Sequence, residues 1–393
     1  MSRTRYELDT RVLTVFFFVA MPFVAFGSFI VVSMARSSLQ SSLGDSFEQR
    51  AIETKILLER YIGEQSIHLR LVGLDPQVRQ ALAPLPKDPS PEEVSRLEEA
   101  WGAGDEALTK TLLKSPLAAR LRETMEVRPA LQLLQVIDGA GRLVASTGHS
   151  GRVLYGEVPW FRNFRENTLD RQPYIADVQP SSPGALPFLG IAYPVRDPGD
   201  GHLLGVLRAA VDFTDLYGIL APVRIGRTGH AVLLRGTDGI VLASDENDRV
   251  LRQVYPGFSA LFGAMQGFPV AEQAEKVFGA SRRHRGYWAL PEVRTKDAAG
   301  KEVGIEPARL VGYAPVDQVP NVQWIVAVEQ DLAEALAPVQ GVTRYLWVHF
   351  IGAFGTVILL ALYFSFKTEE PIIEEELHLH EEHLPKGMSP DAS

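Results

Sequence analysis

The sequence predicts an α+β protein: two tandem modules with antiparallel sheets, carried on a long N-terminal helix and flanked by two transmembrane helices. Three observations lead there. Val12 to Ala35 (24 residues) and Tyr345 to Phe366 (22 residues) contain no Asp, Glu, Lys or Arg. At ~1.5 Å rise per residue each can cross the ~30 Å hydrocarbon core of a bilayer. Apolar residues at helical spacing follow the first run directly. Between the runs, strand-like segments bounded by Gly and Pro turns occur twice in the same order.

Taken in order, residues 1–11 carry Arg3, Arg5 and Arg11, which places them on the cytoplasmic side of a first span at residues 12–35. Ser33-Met34-Ala35 resembles a leader cleavage site, but the apolar run exceeds the ~7–15 residues of a leader core. Residues 36–130 read as the helical part of the outer region. Leu39, Leu43, Phe47 and Ala51 fall at i, i+4 spacing, and Ile52, Ile56, Tyr61 and Ile62 extend the stripe. One helix is expected from Ser37 to about Val72, rising ~50 Å if continuous. Pro84, Pro86, Pro89 and Pro91 break the pattern. Ser90-Pro91-Glu92-Glu93 is a capping box with proline at the first helical position, so a new helix starts there. Further helix is expected from Asp105 to Met125, kinked or split by Pro116.

Strand patterns begin at Leu131. V-I-D-G-A-G-R-L-V-A-S (Val136 to Ser146) is echoed by L-R-G-T-D-G-I-V-L-A-S (Leu234 to Ser244). Tyr193-Pro-Val is echoed by Tyr313-Ala-Pro-Val, and Val206 to Leu216 by Trp324 to Leu332. Their shared order divides the outer part into modules at residues 131–223 and 224–343. Within the first, Trp160 and Phe161 follow Pro159 into a short helix closed by Asn167 and Asp170. Strands are expected around Tyr174 to Val178, Phe188 to Val195 and Leu203 to Asp212, the last two joined by the turn D-P-G-D-G. A second span at residues 344–366 is bracketed by Arg344 and Lys367, with Tyr345, Trp347 and Tyr363 suited to its interfaces. Within it His349, Gly352 and Thr356 share one face, which reads as a helix-packing surface. Both spans retained, residues 36–343 lie outside the cytoplasm and both tails inside.

Composition narrows the chemistry. There are 0 Cys, so no disulfide, thiolate metal site or thiol nucleophile is available. The formal charge is -9, and eight acids against two bases from Lys367 onward account for most of it. No basic patch stands out, which argues against nucleic acid as a partner. The histidines of the outer part lack metal-ligand spacing, and Gly148-His149-Ser150-Gly151 is one residue short of a nucleophile elbow. His378, His380 and His383, set among glutamates, read as a solvated acidic tail (residues 367–393) rather than a metal site. No enzyme activity, metal or cofactor is expected. The tail is too short for a kinase or cyclase, so output is expected to pass through a homodimer or a separate membrane partner.

The arrangement resembles the double Cache sensor domain of bacterial chemoreceptors and sensor kinases. The resemblance rests on W-F at Trp160-Phe161, then P-Y-I-A-D-V, P-V-R-D, G-V-L and D-F-T-D-L, in that order, and covers about Ser37 to Ala337. It implies two PAS-like (Cache) modules, a bacterial inner-membrane location, and a small molecule bound between sheet and helical lip of the membrane-distal module. Amino-acid-binding members carry an Arg two residues before the aromatic pair and an acid late in the last strand. Trp160 and Phe161 match the pair and Asp212 the acid, with Tyr174 and Asp177 where further pocket residues are usual. The Arg position is Val158 here, a departure from the amino-acid-binding pattern.

The residues also point to a pocket on their own. Trp160 and Phe161 are large apolar faces at a loop-to-helix junction, suited to a ligand or to packing on the sheet. Strand alternation places Val206, Arg208, Ala210 and Asp212 on one face. Asp212 either holds a ligand or caps the turn at Thr214. Arg208 either replaces the missing Arg or is a solvated strand residue. Asp177 and Asp212 beside Trp160, Phe161 and Tyr174 favour a cationic ligand, with an anion held by Arg208 as the competitor. The alternative function is a periplasmic scaffold that binds a protein through these modules.

Overall fold

The computed structural model describes Phe18 and residues 21–83, 88–166, 172–179, 188–245, 250–266, 286–296 and 302–367. Asn167, Asp170, Pro84, Pro86, the N-terminal arginines and the histidines of the tail lie outside these residues. Contacts divide the chain into two units, residues 1–39 with 337–393, and residues 40–336.

Helix α1 runs from Met21 to Val72 without a break, so the expected first span and the expected stalk are one helix. Short helices follow: α2 (Pro76–Leu82), α3 (Pro91–Gly102), α4 (Glu106–Leu113) and α5 (Pro116–Glu126). Each begins where an oxygen-bearing side chain satisfies an otherwise orphaned amide. Ser90 Oγ accepts from Glu93 N at 3.2 Å, Asp105 Oδ1 from Leu108 N at 2.8 Å, and Ser115 Oγ from Ala118 N at 3.1 Å. Pro116 splits the expected Asp105 to Met125 helix into α4 and α5, because it serves as the first residue of the second.

Strands β1 (Leu131–Asp138) and β2 (Leu143–Ser146) come next, then α6 (Pro159–Arg165), β3 (Tyr174–Gln179), β4 (Phe188–Arg196), β5 (Leu203–Asp212) and α7 (Thr214–Leu220). Among the described residues these strands form an antiparallel sheet in the order β2-β1-β5-β4-β3. The second set is β6 (Arg224–Ile225), β7 (Gly229–Arg235), β8 (Val241–Ala243), α8 (Phe258–Gln266), β9 (Gly286–Leu290), β10 (Val293–Lys296), β11 (Glu302–Glu306), β12 (Arg309–Val316) and β13 (Trp324–Asp331). Its sheet runs β6-β7-β13-β12-β9, with β8 on β7 and β10-β11 as a separate hairpin. Helices α9 (Leu332–Ala335) and α10 (Ala337–Lys367) complete the chain.

The two sheets repeat one local device, as the sequence echo predicts. Gly141 and Gly239 both have φ in the left-handed region, +88° and +75°. Each accepts the amide of a tyrosine beyond the next strand, Tyr155 N to Gly141 O at 2.7 Å and Tyr255 N to Gly239 O at 2.8 Å. Tyr155 and Tyr255 therefore occupy equivalent places in the two modules.

One core joins the helix to both sheets. Phe47, Ala51, Leu58, Ile62 and Leu69 of α1 are buried with Leu134, Ile191, Leu207 and Val211 of the first sheet and Leu310, Val326 and Val328 of the second. The helix touches the second sheet very closely. A Cβ on Gly312 would come within 2.2 Å of the Phe47 carbonyl carbon, and one on Gly44 within 2.3 Å of the Tyr287 ring. The other face of each sheet carries its own core. Trp101, Leu112, Ile137, Val153, Phe161, Phe164 and Val206 pack on the first sheet, under α3, α4 and α6. Tyr255, Leu261, Trp288, Val311 and Ile325 pack on the second.

In the first unit, Ala25, Ser28, Phe29 and Val32 of α1 and Thr343, Leu346, Trp347 and Phe350 of α10 line an apolar cleft of about 130 Å³. Among the described residues, one helix is long and apolar enough to cross a membrane, at Pro22–Val72. The expected second span falls on α10.

Candidate functional site

The outer face of the first sheet carries a row of residues running across its strands. Register pairs Ser146 with Gln135, Gln135 with Arg208, Arg208 with Ala192, and Ala192 with Tyr174. Partners opposite each other in a sheet share a face, so these side chains stand on the same side. It is the side on which Trp160 and Tyr174 pack partly buried, beside fully buried Phe161 and Phe164.

Arg208 sits at the centre of this row. Its Nη1 donates to Gln135 Oε1 at 2.8 Å, and its guanidinium carbon lies 5.9 Å from the centroid of the Tyr155 ring. Gln135 is fully buried, so each of its polar atoms needs a partner. Its Nε2 donates to Ser150 Oγ at 2.9 Å, and its Oε1 also accepts from Tyr155 Oη at 3.2 Å. The Tyr155 and Trp160 rings meet at 5.7 Å. Arg208 is thus aimed by a neutral network and faces aromatic surface. Among the described residues it makes no ion pair.

Four of the expected site residues come together here: Trp160, Phe161, Tyr174 and Arg208. Phe161 belongs to the core under the helix, with its ring wholly buried, whereas Trp160 keeps part of its surface open. Val158 is the N-cap of α6 and makes no side-chain cap bond; it packs with the apolar cluster.

The structure places the two acids elsewhere. Asp177 falls on the opposite parity of β3 from Tyr174. Its Oδ1 accepts from Trp324 Nε1 at 2.9 Å and from Val178 N at 2.9 Å, and its Oδ2 lies 2.6 Å from Arg235 Nε. It joins the two sheets. Asp212 shares strand parity with Arg208, but at the strand end its Oδ1 turns back to accept from Thr214 N at 2.8 Å and Thr214 Oγ1 at 2.7 Å. This is the turn-capping alternative that Asp at a strand end adopts readily. Burial raises its carboxyl, and the bonds from Thr214 and Gln132 outweigh that, leaving it below its ordinary value. It lines a cavity of about 320 Å³ with Gln65 of α1, Arg128, Ala130 and Asp215. Asp177 is paired with Arg235, and Asp212 keeps its charge but is bonded to Thr214 and lines this other cavity.

Gln135, Ser150 and Tyr155 were not expected. Gln135 left a signal, a polar residue inside the apolar strand L-Q-L-L-Q-V-I-D. Tyr155 lies in a loop with no periodic pattern to mark it.

One core buries a long helix against two antiparallel sheets, and a short helix bearing Trp160 and Phe161 covers the outer face of the first. The Cache domain family model matches residues 93–339, and the chain belongs to that family, in its double form. No curated protein matches the chain. Among solved structures, the Pseudomonas aeruginosa PAO1 chemoreceptor PctC ligand-binding domain in complex with GABA is similar. It shares 16% identity over 74% of this chain and 100% of that one, with a TM-score of 0.42. The ligand-binding domain of Pseudomonas fluorescens CtaA with L-alanine gives 13%, 74%, 97% and 0.39. The V. cholerae histidine kinase DctB sensor domain gives 12%, 74%, 97% and 0.44.

Proposed function

We propose that the chain is a membrane-anchored extracytoplasmic sensor whose first module binds a small anion at Arg208, between the sheet and Trp160. The observation that carries this reading is Arg208 itself, a half-buried cation on the outer sheet face with no ion pair among the described residues. An arginine guanidinium is always charged and presents a planar fork, and Gln135 occupies only part of it. A carboxylate suits the remaining donors. Trp160, Tyr174 and Tyr155 supply apolar walls for the rest of the molecule. The anionic choice replaces the cationic one because Asp177 and Asp212 are engaged elsewhere.

Both apolar helices cross the membrane in this reading, with residues 36–343 outside, and no catalytic step is involved. The apolar cleft of α10 faces α1, while His349, Gly352 and Thr356 lie on its other, exposed side. That side contacts a second copy of the chain or a membrane partner, which carries the signal. The test is to melt the full chain in detergent against a panel of small carboxylates and amines. A saturable upward shift with carboxylates, absent in Arg208→Ala, supports the reading. Shifts with amines that survive Arg208→Ala but vanish in Asp212→Ala overturn it.

A further inference from the structure

The second module holds, near the place equivalent to the Arg208 network, a buried cluster that none of the above uses. Tyr255, the counterpart of Tyr155, donates its hydroxyl to Glu329 Oε2. Glu329 stands within β13 and is 1% exposed. Its Oε1 also accepts from Arg309 Nη1 at 2.7 Å, and His230 Nε2 lies 3.2 Å from the same oxygen. The other nitrogen of that ring, Nδ1, lies 3.0 Å from the carbonyl oxygen of Thr228. Both ring nitrogens of His230 therefore face acceptors. Neutral imidazole carries one N–H, so only the imidazolium satisfies both contacts.

The turn that His230 grips also holds the exit of the module. Glu334 of α9 accepts from Arg227 N at 2.8 Å, Thr228 N at 3.1 Å and Thr228 Oγ1 at 2.7 Å. Asp331 N donates to Thr228 Oγ1 at 3.2 Å, and Gln330 Nε2 to Ile225 O at 3.3 Å. Three residues after Glu334, the chain enters α10.

We propose that His230 is a proton-binding site, and that its charged form clamps the β6–β7 turn to β13 and α9, so that this module responds to pH independently of any ligand in the first. The groups facing it are Glu329 on β13, Asp245 after β8 at 3.7 Å, and the Thr228 carbonyl. Arg224 on β6 pairs with Asp245 at 2.7 Å, and Arg309 on β12 pairs with Glu329, Glu306 and, at 4.0 Å, Asp331. The two acids that face the ring, Glu329 and Asp245, hold the added proton. Burial by itself lowers the His230 pKa, but the Glu329 bond and charge outweigh it and leave the group raised above 6.5. A raised histidine stabilises the fold fully below its unfolded value, and that contribution fades as pH climbs through the folded value.

The experiment uses the full chain in detergent, with hydrogen exchange followed at residues 226–230 and 331–336 and corrected for intrinsic rates. Protection there is expected to fall roughly tenfold between about pH 6 and about pH 9, while the first sheet is unchanged. In His230→Gln, which cannot gain a charge, the fall is expected to vanish. A ring resonance titration of His230 in the unaltered chain gives an independent reading that requires no variant. A His230 that titrates below 6.5, or a pH response retained in His230→Gln, overturns the proposal.

Discussion

Arg208 and Phe161 separate two jobs that the same stretch of sequence performs. Phe161 is wholly buried beside Phe164 and Ile137, so Phe161→Ala is expected to cost ~3–5 kcal/mol of stability, read as a lowered urea midpoint. Trp160 is partly covered and its ring meets Tyr155, Phe161 and Phe164, so Trp160→Ala is expected to cost less stability than Phe161→Ala while weakening ligand binding. Arg208→Ala is expected to lose ~2 kcal/mol or more of affinity for a carboxylate, measured by titration calorimetry. Arg208→Lys recovers part of it, because a point charge replaces a fork. Trp160, Phe161 and Tyr174 were named from the family resemblance and Arg208 from strand alternation, and the structure puts the four on one side of the first sheet. Asp177 was placed by the family resemblance, and it lies an odd number of residues from Tyr174 on β3, turned to Arg235 and Trp324. Asp212 had the right parity, but its bonds to Thr214 are a local competition that alternation does not rank.

Among the elements, helix starts were the most legible, because capping chemistry is local. The capping box at Ser90 and the helix start at Asp105 were read in advance, while the cap at Ser115 was not, Pro116 having been read only as a kink or split. Ser115→Ala is expected to cost about 1 kcal/mol, since Ala118 then loses its partner. Contacts between elements were not legible in the same way. Asp177 of β3 meets Arg235 of β7 and Trp324 of β13 across more than fifty residues of chain, and nothing local announces such a pair. β3 also bears Tyr174, which puts the proposed ligand wall and this junction on one strand. A double-mutant cycle of Asp177→Asn and Arg235→Gln, read by chemical unfolding, should give a coupling near ~1 kcal/mol. A coupling near zero means that this ion pair adds little to the join, which then rests on the shared core and the Trp324 bond. The repeat was legible because a glycine with positive φ recurs in each module, and few residues substitute for it.

At the scale of the molecule, the positive N-terminal flank and the two uncharged runs predict opposite sides for the outer modules and the tail. Reporter fusions at Gly226 and Pro390 are expected to read outside and inside respectively. An inside signal at Gly226 ends the two-pass reading. The natural chain has 0 Cys, so single cysteines introduced at His349, Gly352 or Thr356 give unambiguous cross-links. A trapped neighbour is expected from these positions and not from Leu346 or Phe350, which line the cleft against α1.

The meeting of Gly312 with the backbone at Phe47 and Glu48 has a mechanical consequence. Where a helix rests on a sheet through a layer of side chains, that layer works as a cushion, and rotamer changes take up small displacements before the strand feels them. At this one point the cushion is missing, although side chains supply it elsewhere along the helix. A step of α1 there meets β12 backbone to backbone, and β12 is paired along its whole length with β13, the strand that leads to α10. Such a joint damps little and stretches little. For the proposed sensor it suits a transmission that shifts as one piece between two positions over one that yields by degrees.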